Sequence, residues 1–279
     1  MVKITQEEHD LFCRFIQELS GIHLDRSKAY LLETRMASLL EQERCTCFAE
    51  LYDKARHLGG DTLRQKIIDR ISTNETLFFR DKRPFELLQH KIMQDLIDAR
   101  RAASSGFFPA PIRIWSAACS TGQEIYSVAI VLKELLQDLS EYRIQLLGTD
   151  LSNTAIARAS RGEYNQFEIK RGLSEDTLKE YFTFNGSAWK INDDIRAMVT
   201  FKKTNLMVPF DGLGKFDIVL CRNVGVYFNM ADRKKLFENI SKVMEKDGYL
   251  IIGATESLIN VDPRYEPRRY LRSVFYQLK

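Results

Sequence analysis

Ala117-Ala-Cys-Ser-Thr-Gly122 is a run of small residues that leads straight into a helical apolar pattern. Small side chains let a ligand approach the backbone, and the amides that open a helix are oriented to receive it. The run is not G-x-G-x-x-G and lacks the Gly-Lys-Ser/Thr of a phosphate loop, so a triphosphate is not expected. Asp150 stands 28 residues after Gly122, at the end of the next strand pattern. An acid at that place accepts hydrogen bonds from two ribose hydroxyls. These features specify a nucleoside-containing cofactor. NAD satisfies the same logic, and an ordinary strand–turn–helix with an exposed aspartate would leave the same trace.

The elements that must position these residues fall into two textures. Residues 1–72 read as helices throughout: Leu11, Phe12, Phe15, Ile16 and Leu19 repeat at helical spacing, as do Leu31, Leu32, Met36, Leu39 and Leu40. Two further helical patterns run over 48–58 and 63–71, and Ser20-Gly21 and Gly59-Gly60 supply stops. From residue 112 strands alternate with helices, which predicts a parallel doubly wound α/β sheet. Strands are expected near 112–119, 144–148, 199–201, 216–220, 249–252 and 274–276, with helices over 125–139 and 231–244. Tyr181-Phe-Thr-Phe184, Asn185-Gly186 and Ser187-Ala-Trp-Lys-Ile191 read as a hairpin closed by a type I′ turn, within an antiparallel insertion at about 163–197. Between the modules, 73–111 is read as a connecting segment with a helix and a linker over 102–111.

Composition narrows the function. A hydrophobic content of 44% over 279 residues suits a globular protein with a substantial core. No run of about 18 apolar residues occurs and the N-terminus lacks an apolar h-region, so a cytoplasmic protein with no membrane insertion is expected. Cys13, Cys45, Cys47, Cys119 and Cys221 are odd in number and lack C-x-x-C spacing, which argues for reduced thiols and against a zinc site. A net charge of +3 with interleaved acids gives no basic stripe, and no nucleic-acid partner is expected.

Four segments occur in order: Asn74-Glu-Thr-Leu-Phe-Phe-Arg80, the loop through Cys119-Ser-Thr-Gly122, Gly148-Thr-Asp150 and Cys221-Arg-Asn-Val-Gly-Val-Tyr-Phe228. Together they resemble the CheR family of chemoreceptor glutamate methyltransferases over nearly the whole chain. The resemblance implies a Rossmann-like class I methyltransferase domain with a small antiparallel β-subdomain, preceded by an all-α N-terminal domain. It implies S-adenosylmethionine as cofactor, S-adenosylhomocysteine as product, and the methylation helices of cytoplasmic receptor regions as partners of a monomer. Methyl transfer to a glutamate needs no general base, because a carboxylate with a pKa near about 4.3 is already ionised at neutral pH. Cations and a neutral donor suffice, and by residue type and family position Arg80, Arg222 and Tyr227 supply them. His9, His23, His57 and His90 are expected to be structural or superficial.

Carried over by position, Asn74, Thr76 and Arg80 meet the methionine moiety, Glu124 pairs with its amino group and Asp150 takes the ribose. Asn205 and Leu206 border the adenine, and Arg222 and Asn223 complete the site. Lys28 and Arg35 share a face of the second helix, where the family presents basic residues to its receptor; a solvated helix face is the plain alternative. Two departures stand out. The family's Glu-Glu-Pro-Tyr-Ser is Gln123-Glu-Ile-Tyr-Ser127, and the bulky residue after Arg-Asn-Val is Gly225. Gly225 raises the alternative of a cofactor-binding but weakly active or inactive signalling adaptor. It also predicts that Gly225→Leu leaves activity equal or higher. The short turn of the insertion predicts that no receptor C-terminal peptide is needed as a tether.

Overall fold

The computed structural model describes residues 2–103, 111–136, 138–139 and 142–279. Residues 104–110, the centre of the expected linker, lie outside the described residues. The helical module comprises α1 (Gln6–Ser20), α2 (Ala29–Gln42), α3 (Phe48–Arg56) and α4 (Asp61–Ile71). Thr5 and Glu8 form a reciprocal capping box that starts α1, and Gly21, left-handed at φ 76°, ends it. The apolar stripes read from the sequence meet in one core around Phe12, Leu32, Met36, Phe48 and Ile67. Lys28 closes the 3₁₀ turn Arg26–Lys28 and stands at the N-cap of α2, one residue outside the helix that carries Arg35.

The connecting segment carries α5 (Arg83–Leu87), a π-helical turn at Leu88–Ile92 and α6 (Met93–Ala103). Beyond it come β1 (Pro111–Ala117), α7 (Gln123–Leu135), β2 (Arg143–Asp150) and α8 (Asn153–Arg161). The insertion holds β3 (Glu163–Tyr164), α9 (Gln166–Lys170), α10 (Glu175–Tyr181), β4 (Phe182–Phe184), β5 (Trp189–Ile191) and α11 (Asp193–Ala197). The chain finishes with β6 (Val199–Lys203), β7 (Phe216–Cys221), α12 (Met230–Lys242), β8 (Met244–Ile252), β9 (Tyr265–Tyr270) and β10 (Ser273–Leu278).

The main sheet has the order β6-β2-β1-β7-β8-β10-β9. Its first five strands are parallel, and β10 runs antiparallel between β8 and β9. This is the doubly wound sheet expected from the alternation. Chain order reverses between β1 and β7, and such sheets bind ligands at that crevice, outside the carboxyl ends of the strands. Cores lie on both faces, one around Ile114, Val128 and Ile218, the other around Trp115, Val219 and Phe237.

Two readings are corrected. The strand β9 went unforeseen. The hairpin of the insertion closes on residues 185 and 188: the Asn185 amide donates to Ala188 O at 2.9 Å, so Gly186 and Ser187 are its central residues. Only Gly186 of these two has positive φ, which excludes type I′ and fits the glycine-first pattern of type II′. Asn185 Oδ1 instead accepts the amides of Ser187 and Ala188.

Candidate active site

The loop between β1 and α7 is built on an alternation of backbone states. Ala118, Ser120 and Gly122 all have positive φ, at 60°, 52° and 94°. A left-handed non-glycine residue costs on the order of 1–3 kcal/mol and persists only where its surroundings impose it. Asp150 imposes it here. Its Oδ2 accepts the Ser120 amide and its Oδ1 the Ser152 amide, each at 2.9 Å. A side chain on Gly122 would press on Ala159 at 3.0 Å, besides being strained by its φ. Burial pushes the Asp150 carboxyl above the usual aspartate range, against the lowering effect of the backbone amides. Each oxygen keeps a further lone-pair direction for a ribose hydroxyl. Burial likewise pushes up the neighbouring thiols of Cys119 and Cys221, which leaves them neutral.

A second knot holds the floor of the site. The Arg222 side chain is 1% exposed, and its guanidinium donates to Glu124 Oε2 and Asp81 Oδ2, both at 2.8 Å. It also donates to the carbonyl of Arg80 at 2.6 Å. Glu124 in turn accepts from Ser116 Oγ at 2.7 Å. Phe79, Asp81 and Lys82 all have positive φ, a strained turn that brings the Arg80 carbonyl and the Asp81 carboxylate onto Arg222. Arg222 is therefore not the free cation expected from its residue type. It positions the ends of β1, β7 and the 74–81 segment against one another.

The third component is the roof. Ile22 forms a bridge with Phe228, and the His23 amide donates to Tyr227 O at 2.8 Å. Tyr227 sits in the 3₁₀ turn Gly225–Tyr227 and is 38% exposed. The helical module thus closes over the carboxyl edge of the sheet. Every candidate cofactor, catalytic or receptor-contact residue named from the sequence except Asn205 borders the resulting cleft, including Lys28 and Arg35.

Comparison with known proteins identifies this arrangement. Residues 74–270 match the SAM-binding domain of CheR methyltransferase, and residues 7–72 match its all-alpha domain. The chain belongs to the CheR methyltransferase family. It is 35% identical over 276 residues to chemotaxis protein methyltransferase Cher2 of Pseudomonas putida, covering 98% of each chain. Identity and coverage are the same with chemotaxis protein methyltransferase 1 of Pseudomonas aeruginosa. With chemotaxis protein methyltransferase 1 of Vibrio cholerae it is 33% over 281 residues, covering 100% of this chain and 99% of the other.

The residues present fit S-adenosylmethionine, the cofactor of this CheR domain. Asn223 borders the cleft with a buried Oδ1 that has no partner, an acceptor suited to an ammonium group. Asp150 offers its remaining lone pairs, and Leu206, 6% exposed, gives an apolar wall beside it. Asn74 and Thr76 line the opposite side, where the Asn74 carbonyl accepts from Ser120 Oγ at 3.2 Å.

Three expectations change. Asn205 faces away from the cleft's lining: its Nδ2 donates to Leu19 O at 2.9 Å and its Oδ1 accepts the Met207 amide. Its side chain ties the helical module to the sheet. Arg35 is bound at the end of α4, donating to Ile71 O at 2.5 Å and Thr73 Oγ1 at 3.3 Å, so a surface role alone does not describe it. His23, read as superficial or structural, lines the cleft.

Gly225 also reads differently in place. Its φ is not positive, so the backbone there does not need glycine. An added Cβ would lie 3.1 Å from Glu256 Oε1 and 3.2 Å from Arg233 Nε, both buried and without partners. Glu256 cannot swing away freely, because its Oε2 accepts the amides of Asn223 and Gly253, each at 2.7 Å. The expected gain from Gly225→Leu does not suit this packing. Asp81 and Glu256 were both missed in the sequence. The one available signal was that each is an acid within four residues of a family motif or strand end.

Proposed function

We propose that the protein methylates glutamate side chains of chemotaxis receptors in the cytoplasm, giving glutamyl methyl esters. The observation that supports this best is the convergence of Asp150, Glu124 and Asn223 with Arg80 and Tyr227 on one cleft at the carboxyl edge of the sheet. Bound there, S-adenosylmethionine supplies an electrophilic methyl group to a carboxylate oxygen and leaves as S-adenosylhomocysteine. Asp150 holds the ribose, and Glu124 takes the ammonium group together with the unpartnered Oδ1 of Asn223. Arg222 fixes Glu124 and the Arg80 carbonyl, so that the Arg80 side chain faces the cleft from a braced turn. Arg80 attracts the substrate carboxylate and the Tyr227 hydroxyl orients one of its oxygens. Catalysis is then a matter of alignment in a partly dry site, since the nucleophile is ionised before it enters.

Transfer of radiolabelled methyl groups to a receptor fragment, released as methanol by mild base, tests the ester product. Tyr227→Phe should lower turnover more than cofactor affinity, because it removes one hydroxyl and keeps the ring. The rate should be flat from about pH 6.5 to 8.5. A rise through pH 7 that disappears in His23→Gln would instead make His23 a base, with a nucleophile other than a carboxylate.

A further inference from the structure

The carboxyl edge of the sheet carries a second charged feature beside the cleft. Lys82 and Arg83 are exposed and follow directly on Asp81, the partner of Arg222. The hairpin of β9 and β10 turns over at Leu271 and Arg272, with Tyr270 paired to Ser273. Because β10 is antiparallel to both β8 and β9, the end of β9 lies at the same edge as the ends of β7 and β8. Ser273 Oγ donates to the carbonyl of Arg83 at 3.4 Å, which sets the hairpin tip against the start of α5. Three cations, Lys82, Arg83 and Arg272, are thereby gathered on one ledge.

Two observations characterise this ledge: unmatched charge and an exposed apolar side chain set among it. Among the described residues none of the three cations has a carboxylate oxygen within 4.0 Å, whereas Arg268 on the same hairpin is paired with Glu266 at 2.8 Å. Lys3 and Arg264, by contrast, are matched with Glu33 and Asp262. In addition, Leu271 adopts a left-handed φ of 50° and is 85% exposed, so a strained position at the tip displays an apolar side chain next to Arg272. An apolar contact on the same ledge as unmatched positive charge is complementary to an amphipathic acidic helix.

We infer that Lys82, Arg83, Leu271 and Arg272 form a docking ledge for the acidic helical segment of the protein substrate, next to the glutamate that enters the cleft. This rests on the proposed function, since it takes the substrate to be a carboxylate-rich protein helix. The ledge continues the line from Arg80 along the 80–83 segment, so a helix bearing further acidic side chains would meet it while one glutamate reaches Tyr227. A membrane surface rich in anionic lipid has related charge but no means of presenting a carboxylate to the cleft, and is the weaker fit.

The test compares the wild type with an Arg83→Glu/Arg272→Glu variant, using the soluble cytoplasmic fragment of a chemoreceptor from the same genome. Neither side chain takes part in the cofactor site, and a glutamate in the first turn of α5 suits the helix dipole. The Michaelis constant for the fragment should rise roughly tenfold in the variant, with turnover and S-adenosylhomocysteine affinity unchanged. Added salt should raise the wild-type constant more steeply than that of the variant. Leu271→Ser should raise it as well, without altering the salt dependence. An unchanged constant in the double variant, while the wild type methylates the fragment, overturns the ledge. So does a variant that loses binding only to phosphatidylglycerol vesicles. A wild type that transfers no methyl groups to the fragment overturns the proposed function, and the ledge with it.

Discussion

Arg222 and Glu124 are joined at 2.8 Å across the floor of the cleft, from the ends of two neighbouring strand–loop units. The pair is buried on the arginine side and continues to Asp81, so one guanidinium bridges two carboxylates. Removing Arg222 would leave Glu124 without its cation in a site 13% exposed. Loss of one partner of a buried pair costs about 3–5 kcal/mol. Arg222→Ala should therefore lower the unfolding free energy by that much and abolish cofactor binding, whereas a pure substrate clamp would raise only the Michaelis constant. Equilibrium unfolding of the apoprotein separates the two, since no substrate is present.

Asp150 makes cofactor affinity sensitive to acid. Its carboxyl is raised by burial, so in the empty protein its ionisation costs stability: the protonated form is favoured below its folded pKa, and the penalty appears as pH rises through that value. Ribose hydroxyls donate to the ionised form and so lower the pKa again. Binding therefore takes up the deprotonated state, and affinity for S-adenosylhomocysteine should fall on acidification from a higher pH than an ordinary aspartate would give. Calorimetric titrations between pH 8 and 5 check this. Asp150→Asn should flatten the profile and weaken binding by about 1–3 kcal/mol. Because the Ser120 and Ser152 amides then face an amide nitrogen at one of the two oxygens, it should also reduce stability.

What the sequence made legible follows from how local each signal is. The alternation of strands and helices and the small-residue loop depend on neighbouring residues, and they lie where expected. Asn205 shows the opposite case. A polar residue after a strand invites a ligand-facing reading, but its partner is Leu19 O, 186 residues away, and no nearby residue reports that. Likewise residue type gives the charge of Arg222 without its direction, which is set by a strained turn at 79–82. The strand β9 escaped because Tyr265-Glu-Pro-Arg-Arg-Tyr270 lacks apolar alternation and contains Pro267. Such a sequence is tolerated at the sheet edge, where β9 lies.

Gly225 is open to a direct substitution test. Alanine adds only the Cβ, which the carboxylate end of Glu256 and the guanidinium of Arg233 can accommodate by small shifts. Leucine would place apolar carbons among those two groups and displace the carboxylate that holds the Asn223 and Gly253 amides. Gly225→Ala should thus retain near-normal turnover, while Gly225→Leu should lose roughly 1–3 kcal/mol of stability and most of its activity, as overpacked cores do. Equal or greater activity in the leucine variant would mean that the 253–256 loop relaxes without moving Asn223.

Lys28 and Arg35 border the cleft from the helical module, yet their surroundings assign them different consequences. Lys28 makes a 3.3 Å ion pair with Asp25 at the protein surface, an exposed contact with little effect on stability. Its reversal in Lys28→Glu should raise the Michaelis constant for a receptor fragment and leave cofactor affinity and unfolding untouched. Arg35 instead satisfies the Ile71 carbonyl at the end of α4 and the Thr73 hydroxyl, immediately before Asn74. Those contacts fix how the 74–80 segment leaves the helical module. Arg35→Glu should therefore lose about 1.5–3 kcal/mol of stability, the range for a hydrogen bond to a charged group, and weaken S-adenosylhomocysteine binding as well. Arg35→Lys should restore stability partly, because one ammonium reaches the Ile71 carbonyl but does not span both acceptors. If Arg35→Glu changed only the receptor constant, the residue would act at the surface and the 71–73 contact would be incidental to the site.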